Sequence, residues 1–206
     1  MARYTGPKNR LARRESVDLG MKTVGSHAHA MLLRRLNVGP GQHGAKGRRR
    51  ISAYGQQLRE KQKAKRVYGI LERQFRRYFT NALKFRGNTG ATLLTQLEKR
   101  LDNVVYRLSL APTRVMARQL VSHGHVTVND QKVSIPSYQV ALNDVVTLKP
   151  KAVSIPAVKK ILEEKNPVIP TWLVRQGVIG KIVRQPERTD VDADINEQLI
   201  VEYYSR

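Results

Sequence analysis

The spacing of apolar positions changes along this chain, and each change marks a new element. Between residues 54 and 84, Tyr68, Leu71, Phe75, Tyr78, Phe79 and Ala82 recur at steps of three and four. That period predicts a helix over 54–84, kinked or split at Gly69. Asn88-Thr89-Gly90 breaks the pattern. Leu94, Leu97, Leu101, Val104, Val105 and Leu108 then predict a second helix from Ala91 to Leu108. Thr113 is placed to cap a third helix over 114–122, and Gly124 to end it.

After that helix the period falls to two. Val126 and Val128 alternate, Asn129-Asp130 reads as a tight turn, and Val133 and Ile135 alternate again. A further strand is expected over Val145–Leu148. Ser154-Ile155-Pro156 reads as a helix start, with Val158, Ile161 and Leu162 on the apolar side and Pro167 and Pro170 ending the helix. Gly180–Val183 reads as strand. Leu199 to Tyr204 is apolar enough to dock, with helix and strand both open. Residues 1–50 show no sustained period, so little core is expected there and ordering against a partner is. The fold class is α+β. It divides into a basic arm (1–50), a helical domain (51–97), a compact unit of two helices and antiparallel strands (98–150), and an extension (151–189) whose helix and short strand pack on that unit.

Charge changes the picture more than composition does. The 206 residues are 40% hydrophobic, enough for one or two domains of ~150 residues. They carry 38 Lys and Arg against 16 Asp and Glu, a net charge of +22. The first 100 residues hold 24 of the bases and 5 of the acids, so the surplus is polarised. Such an imbalance argues against an enzyme of neutral metabolites and for a polyanionic partner. With no cysteine there is no disulfide and no thiolate zinc site. No run approaches the ~20 apolar residues of a membrane span, and no signal-type segment opens the chain, so a soluble cytoplasmic protein is expected.

The cations fall in patterns that suit phosphate. Arg114 and Arg118 share a helix face with Ser122 one turn on, and His123, His125 and Asn129 follow. Together they predict an L-shaped surface for a folded nucleic-acid backbone, on which the planar guanidinium makes paired bonds to phosphate. Arg100-Leu101-Asp102-Asn103 is expected mid-helix. Asp102 there is open to pairing with Lys99 or Arg107, or to orienting an Arg of the next helix. Lys61, Lys63, Lys65, Arg66, Arg73, Arg76 and Arg77 surround the first apolar stripe. Tyr68, Phe75, Tyr78 and Phe79 are expected in the core, with Tyr4 and Tyr54 outside and suited to stacking on bases. His27 and His29 lack companion ligands. Asp190-x-Asp192-x-Asp194 runs into Ile195 without the glycine of a calcium loop, and reads as a cluster that pairs with bases of the fold or of a neighbour. No nucleophile–base set and no phosphate-binding glycine loop is present. An RNA-modifying enzyme and a DNA-binding regulator are the rival readings.

Several strings carry a family resemblance: Leu58 to Lys63, Leu97 to Leu108 (LEKRLDNVVYRL), Ala117 to Asn129 (ARQLVSHGHVTVN), Ile135 to Tyr138, Gly39 to Gly44 and Asn196 to Arg206. Over essentially its whole length the chain resembles the family of the fourth protein of the bacterial small ribosomal subunit. The resemblance implies that about 190–206 close the helical domain, and that the protein is structural and non-enzymatic, without cofactor or metal. It would be a primary binder of small-subunit ribosomal RNA at a multi-helix junction of the 5′ domain, nucleating assembly of the subunit body. It also implies contact with the fifth and third small-subunit proteins, a part in decoding accuracy, a place beside the channel by which messenger RNA enters, and a single copy away from any membrane. Repression of its own messenger RNA, known in some members, stays open.

Matched to the family, the RNA face of residues 98–150 is Arg100, Asp102, Asn103, Arg107, Thr113, Arg114, Arg118, Gln119, Ser122, His123, His125 and Asn129. Arg3, Tyr4, Arg10, Arg13 and Arg14 match the junction-binding arm. Gln42, His43, Arg48, Arg49, Arg50, Tyr54, Arg59, Lys61, Lys63, Arg66, Arg73, Arg76 and Arg77 complete the candidate RNA contacts. Zinc-binding members begin with paired cysteines. Here Asn9 and Ala12 stand at the first pair's positions, which excludes that zinc site. On this reading Arg118→Glu weakens binding to a folded RNA junction and leaves the fold intact.

Overall fold

A computed structural model describes residues 3–47, 50–164, 167–191 and 194–205. In chain order the helices are α1 (Lys8–Glu15), α2 (His27–Arg34), α3 (Ala53–Val67), α4 (Glu72–Ala82), α5 (Thr89–Glu98), α6 (Leu101–Arg107), α7 (Arg114–Ser122), α8 (Pro150–Val153), α9 (Pro156–Leu162) and α10 (Glu197–Tyr204). The strands are β1 (Val126–Val128), β2 (Gln131–Lys132), β3 (Val145–Leu148), β4 (Leu173–Gln176) and β5 (Ile179–Ile182). The chain forms two units, Met1–Gly90 with Ala193–Arg206, and Ala91–Asp192.

In the first unit the long apolar stripe becomes two helices. Gly69 adopts φ +63°, which an L side chain resists, and Ile70 N–H closes α3 on Lys65 O at 3.0 Å. Tyr68, Phe75, Phe79 and Ala82 are buried, whereas Leu71 stands exposed ahead of α4. The C-terminal residues, ambiguous by pattern, are helical. Asn196 Oδ1 accepts from the N–H of Gln198 (3.1 Å) and Leu199 (3.3 Å), and this cap starts α10. Its Tyr204 ring stacks 4.5 Å from Phe79 and 6.3 Å from Phe75.

The first fifty residues hold more structure than their pattern predicts. Ser26 Oγ accepts from His29 N–H and caps α2. Asn9 donates to Ala28 O at 3.0 Å, and Arg13 donates to Val38 O (2.9 Å) and Gly39 O (2.8 Å). Ala12, Leu19 and Leu32 are buried. An eight-residue helix spans barely two turns, too few for a period to register, and polar side chains bonded to carbonyls replace an apolar stripe.

The second unit is a layer of helices on one antiparallel sheet of order β2-β1-β3-β5-β4. Asn129 and Asp130 both take positive φ (48° and 64°), the geometry of a two-residue hairpin turn that suits strand twist. The second hairpin strand is shorter than its alternation suggests: β2 ends at Lys132, and Ile135 is exposed. Val126, Val128, Val146, Leu148 and Ile182 face the core beside Leu101, Val104 and Val105 of α6 and Leu108 just after it, Ala117, Leu120 and Val121 of α7, and Trp172. A Cβ at Gly180 would collide with Leu108, so glycine lets β5 approach α6.

The helix expected from Ala91 to Leu108 is broken at Lys99-Arg100. There Lys99 O accepts from Val140 N–H (3.0 Å), and the N–H groups of Leu101 and Asp102 donate to Tyr138 O (2.9 Å) and Pro136 O (3.2 Å). Pairing with residues distant in sequence outweighs the local period, and Arg100 becomes the extended residue before α6. In the extension, Asp190 accepts two bonds from Arg184 (2.8 and 2.9 Å), while Asp192 lies outside the described residues.

Glu72 ties α3, α4 and α10 together. It accepts from Lys61 (2.7 Å), Lys65 (2.9 Å) and the Tyr204 hydroxyl (2.8 Å). Partial burial opposes its ionisation, but those three donors outweigh it and lower its pKa to about 2. A depressed carboxyl contributes stability above its ordinary pKa of about 4.5, lost as pH falls through about 2. We therefore expect Glu72→Gln to destabilise the first unit at neutral pH and to flatten its acid transition over that window. Amide exchange in α10 measures it, with fluorescence of Trp172 as the control for the second unit. An unaltered acid profile would remove Glu72 from this role.

Candidate nucleic-acid interface

The expected L-shaped surface is built on α7. Thr113 Oγ1 accepts from Met116 N–H at 3.2 Å and starts the helix, while Ala117, Leu120 and Val121 turn inward. The opposite face then presents Gln119, Ser122 and His123 to solvent, with Arg114 half-buried at one end. His125 follows, its ring 6.1 Å from that of His123. Lys132, exposed on β2, reaches the same corner, because a Cβ at Gly124 would meet its side chain. No sequence pattern singles out Lys132, and only the β1–β2 register brings it there.

Other candidates of this unit lie inside. Arg100 is fully buried and gives two bonds to Asp102, at 3.0 and 2.6 Å. Arg118, at 7% exposure, stands 3.5 Å from the same carboxylate. Of the partners open to Asp102, the structure selects an Arg of the next helix, and it adds Arg100, which is not among them. Arg107 goes to Glu98 instead, with bonds of 2.9 and 2.9 Å. Asn103 is buried between Glu98 and Arg114. Asn129 is exposed, yet both ends of its amide are used, toward Asp144 Oδ1 (2.8 Å) and Val145 N–H (2.9 Å). Arg100, Asp102, Asn103, Arg107, Thr113 and Arg118 thus hold the surface from beneath. Arg118→Glu would set a second carboxylate beside buried Asp102, so it perturbs the fold and cannot serve as a pure binding test.

The first unit sorts its cations in the same way. Lys61 is buried, bonded to Glu72, with its ammonium 4.4 Å above the Tyr203 ring. Lys63 pairs with Glu60 at 2.9 Å. Arg59 and Arg66 both bond Glu15, whose buried carboxyl is pushed above its usual pKa by desolvation despite the two guanidiniums. On α4, by contrast, Arg73, Arg76 and Arg77 are exposed on the face opposite Phe75 and Phe79. They have no ion-pair partner among the described residues. Arg3, Tyr4, Arg10, Arg14, Gln42, His43, Arg50 and Tyr54 are exposed too, whereas Arg13 is committed to the carbonyls of residues 38 and 39. Arg48 and Arg49 lie outside the described residues. Cations crowd the arm: the Lys8 pKa is lowered by burial first, then by Lys22 and Arg3.

Comparison with known proteins adds two independent findings. Residues 3–98 match the family model described as ribosomal protein S4/S9 N-terminal domain, and residues 99–146 match the S4 domain. Two curated relatives, both small ribosomal subunit protein uS4A, come from Clostridium botulinum strains ATCC 19397 / Type A and Langeland / NCTC 10281 / Type F. Each is 52% identical over 208 residues, covering 100% of this chain and 100% of the relative.

The buried ion pairs generate a stability test. Glu98→Ala leaves the Arg107 guanidinium buried without its carboxylate, and should cost about 3–5 kcal/mol. Gln119→Ala on the exposed face should change stability by less than about 0.5 kcal/mol. Urea unfolding followed by Trp172 fluorescence compares the two, and equal effects would contradict this division into support and surface.

Proposed function

The chain belongs to the family of small ribosomal subunit protein uS4, and on that footing we propose that it is a primary binder of small-subunit ribosomal RNA at a multi-helix junction of the 5′ domain. It is a structural, RNA-binding protein of the cytoplasmic ribosome's small subunit and no enzyme. The observation that carries the finer reading is the exposed trio Arg73, Arg76 and Arg77 on α4, clear of every carboxylate described. Three guanidiniums at steps of three and one along a helix suit phosphates of one RNA strand. The exposed arm cations and the α7–β2 corner extend the same chemistry. Shape and backbone dominate such recognition, because the major groove of duplex RNA is too deep and narrow for side chains to read.

In this reading residues 1–50 form the junction arm, 51–97 the helical domain closed by about 190–206, 98–150 the RNA-binding module and 151–189 its extension. Binding at a point where RNA helices converge nucleates the subunit body. Contacts with the fifth and third small-subunit proteins, a part in decoding accuracy and a place beside the channel that admits messenger RNA complete the proposal. The protein acts as one copy within the subunit.

Reversing the α4 trio, Arg73→Glu with Arg76→Glu and Arg77→Glu, tests the proposal without touching the core. We expect weaker binding to small-subunit ribosomal RNA and a salt slope of log K reduced by about 2–3, close to 0.7–0.9 per lost phosphate. Footprinting should show the loss of protection confined to the 5′ domain junction. Unchanged affinity and slope, or equal competition by duplex DNA, would refute the reading.

A further inference from the structure

Beneath the α7 surface a chain of bonds reaches Arg114. Arg114 Nε donates to Asn103 Oδ1 at 2.8 Å, and its guanidinium carbon lies 4.4 Å from the Tyr106 ring centroid. Asn103 can offer its oxygen to Arg114 only while its amino group points elsewhere. That group donates to Glu98 Oε2 at 2.7 Å and to Glu98 O at 3.0 Å. An ionised carboxylate accepts and never donates, so it dictates which end of the amide faces it. Glu98 is itself fully buried and clamped by Arg107 through bonds of 2.9 and 2.9 Å.

From this chain we infer that Glu98 and Asn103 are positioning residues that aim the Arg114 guanidinium at the RNA backbone. The inference rests on the reading of the α7 face as an RNA surface. Holding Nε fixes the plane of the whole fork, since the guanidinium is rigid, while the Tyr106 ring supports its flat side. A half-buried Arg whose Nε is bonded and whose flat side meets a ring loses less freedom on meeting a phosphate than a fully solvated one. Glu98 and Asn103 act through Arg114 and touch no RNA themselves.

The experiment is a double-mutant cycle on binding of the full chain to a small-subunit ribosomal RNA transcript. The variants are Arg114→Ala, Asn103→Ala and both together, each checked by thermal melting. Arg114→Ala should weaken binding about tenfold, the scale of one charge-assisted hydrogen bond. Asn103→Ala should weaken it less and draw the salt slope toward that of Arg114→Ala, a change that loss of folded protein would not produce. The double variant should bind no more weakly than Arg114→Ala alone. Losses that multiply would overturn the inference and leave the RNA surface standing. No effect of Arg114→Ala would overturn the surface as well. Should Asn103→Ala fail to fold, Arg114→Lys decides, because it keeps the charge and loses the fork. Weaker binding by Arg114→Lys supports positioning, and wild-type affinity refutes it.

Discussion

Carboxylates are scarce in this protein, and the way each one is shared constrains everything else. Glu72 takes two lysines and a tyrosine, Glu15 takes two arginines, and Asp102 takes Arg100 and Arg118. Glu98 takes Arg107 and Asn103. All five acids of the first 100 residues are engaged: Glu15, Glu60, Glu72 and Glu98 with cations, and Asp18 with His29 at 2.8 Å. A buried cation without a counter-charge is costly, so the number of acids limits how many bases enter the core. Among the described residues Arg13 and Arg175 are bonded to carbonyls, while most of the other cations are left at the surface. There their mutual repulsion opposes folding until a polyanion relieves it.

That sorting explains how one side-chain type serves two purposes. In the second unit, Arg100, Arg107 and Arg118 are structural, each set against a carboxylate beneath α6 and α7. Arg114 lies where support and surface meet, held from below by Asn103 and from the side by Tyr106. In the first unit the boundary runs between helices. The cations of α3 turn to Glu15, Glu60 and Glu72, whereas those of α4 turn to solvent. The aromatics of α4 and α10 fill the space between, and the Tyr204 hydroxyl closes on Glu72.

Much of this was legible in the chain. The three- and four-residue steps that place Phe75 and Phe79 inside also place Arg73, Arg76 and Arg77 outside, because both follow from one helical period. Thr113 and Gly124 bound α7 through capping chemistry that needs only local sequence. Asn129-Asp130 gives the hairpin for the same reason. Less legible were α1 and α2, which are too short to show a period, and β4, whose Leu173–Gln176 lacks strict alternation. The break at Arg100 was hidden, since the residues that interrupt the helix lie about 40 positions away at 136–140.

The family strings, the charge surplus in the first hundred residues and the capping residues determined by themselves what kind of protein this is and where α7 and the hairpin after it lie. Those properties depend on composition and on neighbours within a few residues. Which arginine reaches the surface and which is locked inside was decided only by tertiary structure. Arg114 and Arg118, one helical turn apart, look equivalent in sequence. A buried carboxylate contributed by the preceding helix claims Arg118, and an amide from that helix holds Arg114 at the surface. Burial and pairing are properties of a three-dimensional neighbourhood, which a one-dimensional period does not encode.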